Sequence, residues 1–275
     1  MLFRSALVVF PELGLSGYST RDLLHDQHLL EACETELLRL AREGRELAPL
    51  AIVGLPLRAQ GALYNVAAVL QAGRVLAVIP KAYLPNYREF EETRWFRPGR
   101  EVPAGACVHL GDETVPFGTD VLLQATDQPD IIVGVEICED YWVQLPPSAF
   151  QVGAGALVIA NLSASNFTVG KAGLRRNLAL AAADRGKCAY IYVAAGPGES
   201  STDLAFDADA LIVENGRTLA ESERFSRNHQ LLTVDVDIEE LLHDRMVTNS
   251  FWDCAREHAR AYRMVPFTRS EEQHV

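Results

Sequence analysis

Short apolar runs that stop abruptly at a turn signal or a charged residue are what most constrains this chain. Ala6 to Phe10 is such a run, ended by Pro11, which has no N–H to give to a sheet ladder. Ala51 to Leu55, Ile131 to Ile137, Ala156 to Ala160, Ala189 to Ala194 and Leu231 to Val236 are further candidate strands. Tyr64 to Gln71 and Arg74 to Ile79 flank Ala72-Gly73, and Asp209 to Glu214 and Arg217 to Glu221 flank Asn215-Gly216. Each pair predicts an antiparallel hairpin with a tight turn. Helical periodicity is expected from Ser19 or Thr20 to about Arg42, with Leu30, Cys33, Leu37 and Leu40 on one face and Gly44 as the stop. A second helix is expected from about Ala172 to Arg185, with Leu174, Leu178 and Ala181 in phase, and a third from Ile238 to about Arg245. Hairpins alternating with helices predict an α/β layered sandwich of mixed sheets. It is expected to fill residues 1–245 as one domain, with 246–275 as a C-terminal tail or the start of a linker.

With 275 residues, 48% of them hydrophobic and 23% charged, the chain is long enough to bury one large core. A formal charge of −12 with no dense Lys/Arg run argues against nucleic acid or an anionic membrane as partner and favours a small molecule. The N-terminus passes directly into an apolar strand without a secretory pattern, so the expected location is the cytoplasm. The five cysteines are scattered, with no CxxC pair and no histidine at ligand spacing, which disfavours disulfides and a metal site.

Three reactive side chains, Glu12, Lys81 and Cys138, each follow immediately after a separate apolar strand. Ligands gather at the carboxyl ends of strands in α/β folds, so convergence of the three is the hypothesis. A thiol needs a base or a nearby cation to become a nucleophile. Glu12 offers the base, Lys81 the cation, and Lys81 with the backbone N–H of Glu139 a pair of oxyanion donors. Taken singly, each has a plainer role: Cys138 as a small core residue, Glu12 as a turn cap, Lys81 as a cation reaching solvent. The polar, aromatic stretch from Tyr83 to Arg97 is expected as a loop with a short helix, a candidate lid.

The surrounding residues decide between these roles. Phe10-Pro11-Glu12-Leu13-Gly14-Leu15-Ser16-Gly17-Tyr18, Pro80-Lys81-Ala82-Tyr83-Leu84-Pro85 and Val135-Glu136-Ile137-Cys138-Glu139-Asp140 resemble the Glu, Lys and Cys motifs of the nitrilase (carbon–nitrogen hydrolase) superfamily. Within it, Tyr83-Leu84-Pro85-Asn86-Tyr87-Arg88-Glu89-Phe90, Phe117-Gly118-Thr119-Asp120, Asn161-Leu162-Ser163-Ala164-Ser165 and Gly198-Glu199-Ser200-Ser201-Thr202-Asp203 resemble the glutaminase domains of glutamine-dependent NAD+ synthetases. The resemblance implies a nitrilase-like α-β-β-α sandwich in which Glu12, Lys81 and Cys138 hydrolyse L-glutamine through a thioester. Tyr87, Ser165 and Lys171 would hold the substrate, with Tyr18 and Phe90 as further contacts. A homo-oligomer and an ATP-dependent synthetase domain as partner are implied too.

Two departures from the family pattern stand out. The chain has only five residues before the Phe-Pro-Glu strand, where relatives carry a further strand and helix, and Asn166 stands where many have proline. No Ser-Gly-Gly-x-Asp-Ser phosphate loop is present, so no cofactor is expected for this chain, and ATP and Mg would belong to a synthetase domain missing from it. The competing expectations are a free-standing amidase acting on another small amide or carbamoyl compound, and a truncated, inactive interaction module.

Overall fold

The computed structural model describes residues 5–199 and 203–269, so Ser200, Ser201 and Thr202 of the Gly-Glu-Ser-Ser-Thr-Asp stretch lie outside the described residues. The first sheet holds β1 (Leu7–Val9), β2 (Leu50–Ala59), β3 (Ala62–Gln71) and β4 (Arg74–Pro80) in that order. β1 runs parallel to β2 at the edge, and the others form antiparallel hairpins. The turn between β3 and β4 places Ala72 and Gly73 at φ 49° and 84°, the left-handed pair that a two-residue hairpin of native twist requires. Gln60 and Gly61 do the same between β2 and β3, a hairpin the sequence pattern did not reveal because Gln60 is not a usual turn residue.

The second sheet has the order β12-β11-β10-β9-β8-β7-β13. Its strands are β7 (Val121–Ala125), β8 (Ile132–Ile137), β9 (Val158–Ser163), β10 (Ala189–Ala194), β11 (Ala210–Glu214), β12 (Arg217–Glu221) and β13 (Arg263–Phe267). β8, β9 and β10 are mutually parallel, as βαβ crossovers require. The predicted Asn215-Gly216 hairpin forms, with φ 46° and 78°.

Facing side chains of the two sheets make the central core. Leu50, Ile52, Val69 and Ile79 from one meet Leu123, Val135, Ile137 and Ala160 from the other. Helix α1 (Gln27–Glu43) covers the outer face of the first sheet through Cys33, Leu37 and Ala41, beside the small hairpin β5 (Cys107–Leu110) and β6 (Glu113–Pro116). α2 (Pro147–Gly153) and α3 (Lys171–Gly186) cover the second sheet. Each fully buried Leu, Ile or Phe contributes about 1.5–3 kcal/mol by leaving water, and this double interface is what fixes the positions of the strand ends.

Four expectations need correction. The first helix does not begin at Ser19 or Thr20: Tyr18–His25 is a 3-10 segment broken by non-helical Ser19 and Arg21, and α1 starts after Asp26, whose carboxylate accepts the Leu29 N–H at 3.1 Å. The buried face of α3 is Arg175, Ala179 and Ala183, not Leu174, Leu178 and Ala181, because Arg175 finds buried carboxylates there. Leu231 to Val236 alternates like a strand but is irregular, leading to Asp237, the cap of α4 (Ile238–Val247). Beyond Arg245 the chain is not featureless: α5 (Asn249–Glu257) and β13 follow, and β13 pairs parallel with β7.

Candidate active site

Glu12 sits where β1 leaves its sheet. The Phe10 N–H still reaches Ile52 O at 3.0 Å before Pro11 turns the chain away. The turn is pressed onto Gly54 of β2, where a Cβ would stand 2.4 Å from Leu13 N and 2.7 Å from Pro11 O, so only glycine lets the strand pass beneath it. Glu12 is fully buried, and both its oxygens are held. Oε1 accepts from Lys81 Nζ and from Asn65 Nδ2, each at 2.7 Å, and Oε2 accepts from the Ala164 N–H at 2.7 Å.

Lys81 follows β4 directly and is 0% exposed. Its Nζ donates to Glu12 and, at 2.6 Å, to Glu92 Oε1, an oxygen that also accepts the Tyr18 hydroxyl at 2.8 Å. Burial works against the lysine's charge, but the Glu12 and Glu92 carboxylates outweigh it and hold the ammonium well above its ordinary range. A cation is therefore fixed at the bottom of the site, where low dielectric makes it effective.

Cys138 ends β8 at φ 45° and opens the 3-10 turn Cys138–Tyr141. That left-handed conformation costs a non-glycine residue on the order of 1–2 kcal/mol, and Asp140 supports it. The Asp140 carboxylate accepts from the N–H groups of Ile137 (3.0 Å) and Tyr83 (2.8 Å), tying the cysteine turn to the segment just after Lys81. Burial pushes the thiol well above its usual range, the Glu12 charge adds to this and Lys81 opposes it, while the Ala164 N–H that holds Glu12 also favours the thiolate. Burial and the Glu12 charge thus favour the neutral thiol over the thiolate, against the pull of Lys81.

Among the outer residues, Tyr87 is half exposed and donates to the Glu139 carboxylate at 3.0 and 3.1 Å. Ser165, next to Ala164, is buried with its Oγ lacking a hydrogen-bond partner among the described residues. Lys171 Nζ donates to Asn166 Oδ1 at 2.6 Å and lies over the rings of Trp142 (5.2 Å) and Phe90 (5.7 Å). Phe90 is buried and meets Tyr87 edge-on. Tyr18 is placed behind Lys81, its hydroxyl committed to Glu92.

The model of the carbon–nitrogen hydrolase family matches residues 3–244 of the chain. This chain belongs to that family. The carbon–nitrogen hydrolase is 48% identical over 266 residues to the glutamine-dependent NAD(+) synthetase of Mycobacterium bovis, a match covering 96% of this chain and 39% of that protein. It is 35% identical to the synthetase of the same name from Thermotoga maritima, over 88% of this chain and 38% of that one. The matched segment is the glutaminase part of those enzymes. Among solved structures, a glutamine-dependent NAD(+) synthetase from Cytophaga hutchinsonii superposes with TM-score 0.67 at 29% identity, over 80% of this chain and 35% of that one. An amidase from Nesterenkonia has the same mixed α/β fold, with TM-score 0.62 at 20% identity, over 88% of this chain and 83% of that one. The hydrolase chain thus spans well under half the length of the curated synthetases it matches.

Sequence reasoning missed Glu92 and Asn65. Glu89, Glu91 and Glu92 stand together in one polar loop, and nothing local says that only Glu92 turns inward. Asn65 did carry a signal, an amide set inside the buried apolar run of β3. Glu92 also has a consequence for pH. Burial pushes its carboxyl up to about 7, with Lys81 opposing and Glu12 adding to the rise. The ionised form that helps hold Lys81 is present above that value and lost below it, so the hydrolase is expected to lose turnover as pH falls through neutrality. Glu92→Gln, neutral at every pH, should remove this acidic limb from the kcat profile; a limb unchanged in the variant would rule Glu92 out as its source.

Proposed function

We propose that the chain hydrolyses the side-chain amide of L-glutamine and releases ammonia for use by an ATP-dependent NAD+ synthetase part. The observation that carries this reading is Lys81, clamped between two buried carboxylates beside a buried thiol at the end of a strand. Cys138 Sγ attacks the amide carbon while Glu12 takes the thiol proton. The carbonyl oxygen, now an oxyanion, is met by Lys81 Nζ and the Glu139 backbone N–H. Glu12 passes its proton to the amine as the C–N bond breaks, leaving ammonia and a glutamyl thioester. It then draws a proton from water, whose attack on the thioester frees glutamate and restores the thiol. Every step is carried by side chains and backbone, without a cofactor.

The rim supports an amino-acid substrate. Lys171 offers a cation for the α-carboxylate, the Glu139 carboxylate held by Tyr87 offers an anion for the ammonium, and Ser165 Oγ has hydrogen bonds to give and accept. The relatives' own activity, named for glutamine and NAD+, points the same way. The test is ammonia release from glutamine against a panel of asparagine, aliphatic amides and carbamoyl compounds. Glutamine is expected to give the highest kcat/KM; preference for an aliphatic amide would replace the substrate and keep the chemistry.

Lys81→Arg tests the cation. A planar guanidinium cannot occupy the depth of a compact ammonium hydrogen-bonded to two carboxylates. Turnover is expected to fall about a hundredfold, the scale of one lost oxyanion donor. Near-normal turnover in a folded Lys81→Arg protein would remove Lys81 from the mechanism.

A further inference from the structure

A chain of hydrogen bonds connects the loop after β10 to the catalytic lysine. The Glu199 carboxylate accepts from the N–H groups of Tyr18 (2.8 Å) and Ser19 (3.0 Å), which open the Tyr18–His25 segment. That entry has no side-chain cap of its own at Gly17, whose φ is 80°, and a Cβ at Gly17 would stand 3.5 Å from a Glu199 oxygen, so the carboxylate lies directly against the turn. Tyr18 is buried, with its ring edge-on to Phe206 of the same loop at 5.9 Å. Its hydroxyl then donates to Glu92 Oε1, the oxygen that accepts Lys81 Nζ. Asp22 ties the other part of the segment to the Glu92 side of the site, accepting from Arg94 (2.7 Å) and Trp95 (2.9 Å).

We infer that Glu199 is a positioning residue of the amide-hydrolysing site, acting through Tyr18 to keep Glu92 ionised against Lys81. This rests on the hydrolytic reading above. The charged and titratable groups that face Glu92 are Lys81, Glu12, Tyr18 and the Cys138 thiol, and none of them belongs to the Glu199 loop. The route from Glu199 to Glu92 therefore runs through the placement of the Tyr18 phenol. A phenol donating to a carboxylate favours its charged form, so releasing the phenol raises the pH at which Glu92 takes a proton.

A double-mutant cycle tests this on the 275-residue chain. Tyr18→Phe and Glu199→Ala are each expected to lower kcat for ammonia release about tenfold, the scale of one hydrogen bond to a charged group, with KM unchanged. In both, the acidic limb of the kcat profile should move to higher pH. If the two act in series, the double variant is no worse than Tyr18→Phe alone. Glu199→Gln keeps one acceptor oxygen and should lie between wild type and Glu199→Ala, and it carries the cycle if the alanine variant does not fold. Losses that multiply in the double variant, or a Glu199 variant whose acidic limb stays in place, would overturn the inference while wild-type activity keeps the hydrolase reading intact. Wild-type protein that releases ammonia from no amide would overturn both.

Discussion

Cys138→Ala is expected to lower ammonia release by on the order of 10⁴-fold or more, the scale of removing a nucleophile that works as one unit with its base. The fold should survive, because the cysteine is a buried side chain of similar size to alanine and the turn is held by Asp140 rather than by the sulfur. The same residue should be the one labelled by an electrophile shaped like glutamine. Cys33 and Cys188 are buried with thiols pushed up by burial, and Cys107 and Cys254 are exposed. Only Cys138 feels both the Lys81 and the Glu12 charge. Peptide mapping after labelling checks this, and equal modification of Cys107 or Cys254, or hydrolysis that persists in Cys138→Ala, would remove Cys138 from its role.

Arg175→Met carries the largest expected effect on stability. Arg175 is completely buried in α3, where Nη1 donates to Asp207 Oδ1 at 3.1 Å and Nε lies 3.0 Å from Asp209 Oδ2. Arg224 also reaches Asp207 at 3.0 Å, so loss of Arg175 leaves Asp209 as the more exposed liability. Removing one partner of a buried ion network costs about 3–5 kcal/mol, because the remaining charge has neither water nor a counter-ion. Burial by itself would raise Asp207, but the hydrogen bonds and charge of Arg175 outweigh it and hold the carboxyl below its usual range. A depressed carboxyl stabilises the fold above the unfolded-state pKa, and that contribution fades as pH falls through the folded one. The gap between wild type and Arg175→Met in urea should therefore narrow in acid. A loss under about 1 kcal/mol at neutral pH would mean that the network is no more than a surface pair. α3 begins with Lys171, so on the substrate-holding role proposed for that residue, loosening Arg175 should raise KM before it changes kcat.

What the sequence determined by itself was the set of strand ends and what stands on them. Pro11 stops β1 because it has no N–H to donate, Gly73 and Gly216 accept the left-handed φ their hairpins need, and so Glu12, Lys81 and Cys138 were legible as residues following apolar strands. These are local effects, decided by a residue and its immediate neighbours. Tertiary structure decided which polar groups turn inward. Glu92 differs from Glu89 and Glu91 only in where its loop lands against Lys81, and Asn65 matters because β3 passes beside Glu12. The same holds for Arg175, whose burial inverted the expected face of α3: it enters the core because Asp207 and Asp209, distant in sequence, meet it there, and no periodicity records that. Leu231 to Val236 shows the opposite error, a strand-like pattern without a paired edge to join, because a strand is defined by its partner as much as by its own alternation.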